Sequence, residues 1–193
     1  MSFELLPVLT GDLLTVRPLQ PADFDELFDV AADPLLWEQH PQPDRCREEV
    51  FRAFFRDALA SGGAFAVVDT RESRLIGSSR YHGYDADRRE VEIGWTFLAR
   101  SHWGGLYNKE LKQLMLDHAF QFVDTVVFLV GTENLRSRRA VEKLGGVLAG
   151  SGQDRGGSPH VRYRIEVGNW SGGAGGAGGP GGAGGPGGAG VLS

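Results

Sequence analysis

The sequence predicts an α/β fold built on one mixed sheet, in the order β-α-α-β-β-β-α-β-α-β. Two features point to it. Three strand-like runs follow one another between residues 64 and 98 with only turn-like pieces between them, which reads as an antiparallel meander. A strand, a long helix and a short apolar strand then succeed one another, and that succession is a crossover unit joining parallel strands.

Each element has its own justification. Residues 13–19 (LLTVRPL) read as the first strand. Pro21 opens a helix, since proline suits a first turn, and Phe24, Leu27, Phe28 and Ala31 recur at helical spacing. Asp33-Pro34 ends it. Asp44 is the expected cap of a second helix, with Val50, Phe54, Phe55 and Leu59 on one face and Ser61-Gly62-Gly63 as its stop. Strands follow at 64–69, 75–81 and 90–98, joined by TRESR and GYDADRR. Residues 106–122 form a long helix with Leu111, Leu114, Met115, Phe120 and Phe122 apolar. Residues 126–130 are continuously apolar, as in a strand buried on both faces. A helix over 134–144 ends at Gly145-Gly146, and 161–167 is the last strand.

Composition bounds the function. The chain has 193 residues, 41% of them hydrophobic, with 11 Phe, which excludes a wholly disordered protein. Its 20 Lys+Arg against 25 Asp+Glu argue against nucleic acid as the main partner. No apolar run reaches the ~18–20 residues of a membrane span. The N-terminal stretch carries acids where a secretory signal carries Lys or Arg, so a cytoplasmic location is expected. Cys46 is the single cysteine, and no His/Asp/Glu constellation argues for a metal. From Gly172 to Gly190 every residue is Gly, Ala or Pro. Such a stretch builds no core, so residues 1–168 are expected to form the domain and 169–193 a flexible tail.

Two segments carry chemistry. After the 90–98 strand comes Ala-Arg-Ser-His-Trp-Gly-Gly and then the long helix. Unpaired N–H groups of a first helical turn, with glycines before them, make an anion site; a tight turn that needs glycine is the plainer reading. Neither a Walker loop nor G-x-G-x-x-G is present. The second segment is Thr132-Glu133-Asn134-Leu135-Arg136-Ser137-Arg138-Arg139. Asn134 or Ser137 can simply cap the helix, and the arginines can be a solvated face. Three arginines at a helix start are electrostatically poor, however, and a nearby anion would relieve them.

Together the stretch EIGWTFLARSHWGGLYNKE (92–110) and TENLRSRRAVEKLG (132–145) resemble the GNAT acetyltransferase superfamily, most closely the branch of the ribosomal-protein N-terminal acetyltransferases. The resemblance covers about residues 13–167 and rests on both motifs at their mutual spacing. It implies acetyl-CoA as donor, direct transfer to an amine, and two central parallel strands that splay to admit pantetheine. The family's pyrophosphate loop, Gln/Arg-x-x-Gly-x-Gly/Ala, corresponds here to Trp103, Gly104, Gly105, Leu106, Tyr107 and Asn108. Trp103, Leu106 and Asn108 depart from that pattern, though backbone N–H groups need no particular side chain. Phe97 and Leu98 count among the implied cofactor contacts, with the oxyanion N–H near Thr96 or Phe97. Asn134 matches the position that bonds the pantetheine arm, and Arg138 and Arg139 are candidates for the phosphates. A homodimer is a family-level expectation.

Direct transfer needs a base and an acid. Glu92 is the candidate base, sharing its strand face with Glu90 while Val91 and Ile93 take the other. Its plainer role is as a partner for Arg80 or Arg100. Family members often place a tyrosine acid seven residues after the motif Asn; here that position is Val141, so Ser137 is the candidate acid and Tyr107 a weaker one. Trp37, His40, Tyr81 and Trp95 are candidate walls of the acceptor pocket. The function expected is an acetyl-CoA-dependent N-acetyltransferase acting on a primary amine of a small molecule or a protein N-terminus. The missing tyrosine keeps a non-catalytic acyl-CoA-binding module as the alternative. Deleting residues 171–193 is expected to leave the thermal midpoint and the acetyl-CoA affinity unchanged. A lowered midpoint or weakened binding by calorimetry would give the tail a role in the core.

Overall fold

The computed structural model describes residues 3–153 and 157–172. The Gly-rich stretch expected as a tail lies, from residue 173 on, outside the described residues. The strands are β1 (Leu9–Thr10), β2 (Leu14–Pro18), β3 (Ala64–Asp69), β4 (Leu75–Asp85), β5 (Glu90–Leu98), β6 (Thr125–Gly131), β7 (Val147–Gln153) and β8 (Pro159–Glu166). The helices are α1 (Phe24–Ala31), α2 (Glu48–Ala60), α3 (Leu106–Ala119) and α4 (Leu135–Lys143). One sheet runs β1-β2-β3-β4-β5-β6-β8-β7. Neighbours are antiparallel except β5 and β6, which are parallel. Among the described residues no helix is long and apolar enough to cross a membrane.

Several boundaries differ from expectation for local reasons. The edge strands β1 and β7 are additions to the expected order. β7 is exposed along its whole length, so its sequence shows no in-out alternation. Asp44 does not cap α2. Pro43–Cys46 forms a 3-10 turn instead, and α2 starts after Arg47 with Glu48 and Glu49 suiting the positive end of its dipole. β6 is not buried throughout, since Leu129 faces solvent. Trp170 falls within the stretch expected as a tail. Trp170 packs on the core beside Phe120 and donates its indole N–H to Asp117 Oδ1 at 2.6 Å.

The sheet separates two cores. On one face α3 buries Leu111, Met115, Leu116 and Ala119 against Phe65, Val67, Val91, Ile93 and Phe128. On the other, α1 and α2 bury Leu27, Phe51, Phe54 and Phe55 against Ala66, Leu75 and Phe97. Each such aromatic or aliphatic side chain contributes about 1.5–3 kcal/mol by leaving water.

The central pair is where the sheet opens. β5 and β6 are in register only at Glu90↔Thr125, Val91↔Val126 and Glu92↔Val127. Past Glu92 they part, while β6 stays paired with β8 to Gly131. β4 and β5 shift register at the same level: Arg80 faces Gly94 but Ser78 faces Phe97, so Trp95 and Thr96 oppose the single residue Ser79. That is a β-bulge, and it bends the bulged strand away from its former line. Trp95 adopts φ +51°, a left-handed backbone that a tryptophan rarely takes. The bulge also switches faces. Glu92 and Gly94 look towards α1 and α2, and after the extra residue Trp95 and Phe97 do. Thr96 meets α3.

Candidate active site

Glu92 sits at the vertex of the opening. It is the last residue of β5 paired to β6. Its carboxylate folds over Gly94, where an added Cβ would come within 2.9 Å of Oε1, so glycine there leaves the space the carboxylate occupies. Burial drives its pKa up to about 7, against the opposing pull of Arg80 and Arg162. Among the described residues neither Arg80 nor Arg100, its plainer partners, forms an ion pair with it, and neither does Arg162. Arg100 pairs with Asp33, and Arg162 pairs with Glu90 at 2.6 Å. Trp95 is half-buried on the same face, with Arg80 over its ring at 4.6 Å and His82 edge-on at 5.0 Å.

The other side of the bulge holds a residue that no sequence motif marks. Lys112 lies on the apolar stripe of α3 between Leu111 and Met115 and is buried. Its Nζ donates to Thr96 Oγ1 at 2.5 Å, and Thr96 Oγ1 meets Ser79 Oγ at 2.8 Å. It also lies 5.5 Å from the Phe128 ring of β6. Lys112 therefore reaches both strands of the splayed pair from below. Burial pushes its pKa down to about 7. The available signal was a lysine in register with a core face. The side chains of Phe97 and Leu98 are buried in the two cores, so neither offers a side chain to a ligand.

The glycine loop fits a phosphate. Gly104 and Gly105 have φ of +110° and +117° with open space where a Cβ would point. Gly105 caps α3 without a side-chain bond, so the first-turn N–H groups of Leu106, Tyr107 and Asn108 receive no capping oxygen. Trp103 is 39% exposed, donates Nε1–H to Leu98 O at 2.9 Å, and carries Arg136 over its ring at 3.9 Å. Arg136 also donates to Leu36 O at 3.3 Å. It ties the start of α4 to this loop, a placement expected of Arg138 or Arg139. Tyr107 points elsewhere. Its hydroxyl donates to Asp69 Oδ2 at 2.7 Å, which takes it out of the running as an acid. Asp69 also accepts from the N–H groups of Arg71 and Glu72 and faces His102 Nε2 at 3.3 Å. Burial raises its pKa, but those four donors outweigh it and hold it at about 2.

The start of α4 forms the opposite wall. Asn134 Oδ1 accepts from Ser137 N at 3.1 Å, so Asn134 does cap the helix. It also lines a cleft of about 330 Å³ together with Gln39, His40, Thr132, Glu133 and Pro159. Arg138 turns inward instead of towards a phosphate, donating to Tyr163 Oη at 3.1 Å and Thr132 O at 3.0 Å. Arg139 is exposed. Val141 is buried in the core with the α3 side of the sheet.

Two expected pocket walls belong to the cores. Tyr81 is 1% exposed and donates its hydroxyl to Met115 O at 2.5 Å on the α3 side, because alternation along β4 puts it opposite Arg80. Trp37 is 2% exposed, packs on Phe97 at 5.1 Å and donates to Ala31 O. His40 does line the cleft. Burial, with the nearby Arg45 charge, lowers its pKa to about 4, so it is neutral. Among the described residues no cluster of His, Cys, Asp and Glu could hold a metal ion.

Comparison with known proteins agrees with this geometry. The family model for the acetyltransferase (GNAT) domain matches residues 14–147. A putative acetyltransferase from T. thermophilus is 26% identical, covers 88% of this chain and 93% of its own, and superposes with a TM-score of 0.71. Mycobacterium smegmatis RimJ, solved with CoA-disulfide, is 17% identical over 86% of this chain and 87% of its own, with a TM-score of 0.66. Spermidine N-acetyltransferase from Vibrio cholerae, solved with CoA and spermine, is 18% identical over 82% and 98%, with a TM-score of 0.64. No curated protein matches the sequence.

Two stability measurements check the site. Asp69→Ala leaves several donors without an acceptor and is expected to cost about 1–3 kcal/mol in urea unfolding. A loss within about 0.5 kcal/mol, the range of an ordinary surface change, would show that water replaces the carboxylate. Glu92 has a raised folded pKa, so its charged form opposes folding: the penalty is absent below pH 4.5, grows as pH rises to about 7 and is complete above that. Glu92→Gln is therefore expected to raise stability at about pH 8 by up to about 3 kcal/mol and to leave it unchanged near pH 4. An equal effect at both pH values would contradict the buried, raised carboxyl.

Proposed function

The chain belongs to the acetyltransferase (GNAT) family, and on that premise we propose that it moves the acetyl group of acetyl-CoA directly to a primary amine, with Glu92 as the base. The observation that carries the reading is the loss of β5–β6 pairing directly after Glu92. It opens a gap between parallel strands beside a carboxylate whose pKa is near 7. A base with that pKa is half ionised at neutral pH, which suits proton removal from an ammonium group.

The chain's residues divide the task as follows. N–H groups at the start of α3, with Gly104 and Gly105, hold the pyrophosphate, and Arg136 and Arg139 add positive charge nearby. The amide of Asn134 faces the pantetheine arm. Glu92 takes the proton from the acceptor, directly or through water. The amine nitrogen bonds to the thioester carbonyl carbon, the carbon–sulfur bond breaks, and an N–H of β5 near Thr96 or Phe97 supports the carbonyl oxygen. Ser137, on the first turn of α4, supplies a proton to the departing thiolate and regains one, directly or through water, from the nitrogen as it becomes an amide. Within the family, the paired motifs around Trp103 and Asn134 favour the branch of the ribosomal-protein N-terminal acetyltransferases.

The test is acetyl-CoA calorimetry followed by thiol release across an amine panel. Micromolar acetyl-CoA binding with turnover is expected. So is an ascending limb of kcat with an apparent pKa near 7. Glu92→Gln is expected to remove that limb and lower kcat about 10²–10⁴-fold while acetyl-CoA still binds. Turnover within threefold of the parent, with the limb intact, would remove Glu92 from the chemistry.

A further inference from the structure

The face of the sheet beside Glu92 holds more positive charge than acetyl transfer requires. Arg80 of β4 and Arg45, in the turn before α2, are 5% and 8% exposed. Their guanidinium groups flank one ring, lying 5.7 and 4.5 Å from the centre of Phe54. Arg80 also covers Trp95, the residue at the bulge, and Arg45 covers Trp37 at 5.5 Å. Aromatic faces attract cations but do not neutralise them. Among the described residues neither arginine forms an ion pair.

The hydrogen-bonding also falls short. Arg80 Nε is buried with no partner among the described residues. Arg45 donates Nε to Gln42 Oε1 at 2.9 Å, but its Nη1 faces His40 Nε2 at 3.3 Å. The other nitrogen of that ring, Nδ1, faces the N–H of Gln42 at 3.0 Å. A neutral imidazole has one acceptor nitrogen, so one of those two donors goes unanswered. Leaving a buried donor unmet destabilises the fold, and a buried unpaired charge does so more strongly. The carboxylates acting on these arginines are Glu92 and Asp57 towards Arg80, and Asp44 towards Arg45. Asp57 and Asp44 are exposed, and Glu92 is drawn towards its neutral form.

The missing partner is therefore an anion, and its place is on the acceptor side. His40 belongs both to this cluster and to the cleft lined by Asn134, Glu38 and Glu133. Glu38 and Glu133 are exposed on the cleft wall, and Arg45 meets His40 of that wall from the cluster side. We propose that the acceptor is a small zwitterionic amine, whose carboxylate or phosphate-type group seats on Arg45 and Arg80 while its amine reaches Glu92. The inference deepens the transferase reading and rests on it. Guanidinium forks match both anions in shape, so the ligand chemistry is shared between the two sources.

The test compares matched amines with the full chain. One pair is 4-aminobutyrate and butylamine, the other 2-aminoethyl phosphate and ethanolamine, with spermidine as the polycation. A charge-assisted pair contributes about 1.5–3 kcal/mol, so kcat/KM is expected to favour the anionic member about tenfold or more. The pair that shows it identifies carboxylate or phosphate. Arg80→Gln and Arg45→Gln, checked for folding by circular dichroism, should each cut that preference about tenfold. Preference for butylamine, ethanolamine or spermidine overturns the proposal, as does a preference that both variants leave intact. A second readout needs no turnover. The anionic amine alone is expected to raise the melting temperature of the parent more than its neutral counterpart does, and to lose that advantage in Arg80→Gln. Such protection without any acetyl transfer keeps the anion site and refutes the transferase reading, whereas transfer to neutral amines alone does the reverse.

Discussion

Everything at the site depends on one break in hydrogen bonding. A parallel strand pair normally continues its ladder to the strand ends, because each unpaired N–H or C=O in the interior costs free energy. Here the ladder stops at Glu92 and Val127, and β5 takes up an extra residue at Trp95 and Thr96. The separation survives because each strand keeps its other neighbour. β5 remains on β4 and β6 remains on β8. The cost of the opening is carried by antiparallel pairing on both outer sides and by two cores that clamp the sheet from above and below.

The bulge does more than open the gap. By switching the alternation of β5, it sends Trp95 and Phe97 to the α1/α2 side and Thr96 to α3. Glu92, Arg80 and Trp95 therefore share one face, and Lys112 with Thr96 and Ser79 share the other. Polar groups thus meet the central pair from both faces, where most of the sheet is apolar. Such burial is expensive, and Glu92 and Lys112 respond by moving their pKa values towards neutrality from opposite directions. Desolvation that elsewhere only destabilises thus holds two ionisable groups near neutrality beside the opening.

The loops are held by polar anchors. Asp69 gathers Tyr107, His102 and the turn after β3, and so fixes the start of α3 against the meander. Arg136 stacks on Trp103 and bonds to Leu36 O, which joins the glycine loop, the α1–α2 connection and α4. Trp103 replaces a polar residue in the family pattern, and Arg136 is its natural complement, since an indole face attracts a guanidinium. These ties leave the backbone N–H groups of the first α3 turn facing outwards.

Local chemistry made much of this readable in advance. Helical spacing located α1, α2 and α4, glycines marked the turn into α3, and two motifs at their mutual distance indicated the family. Periodicity and capping are properties of neighbours in sequence, so one chain suffices to show them. Glu92 could be singled out as a carboxylate within an apolar strand. The face that each side chain takes was decided in three dimensions. Tyr81 and Arg80 are adjacent in sequence, yet one is a ring of the α3 core and the other lies over Trp95 on the opposite face. Lys112 looked like an ordinary helix residue until α3 lay beneath the opening. Tyr107 and Arg138 matched attractive positions but were claimed by Asp69 and Tyr163. No local pattern encodes a one-residue bulge or the distant partner that captures a side chain, because both follow from packing between segments far apart in the chain. Residue order was enough to say which elements form and what chemistry they carry. Which charges lose their water together was settled by folding, because burial belongs to the packed whole.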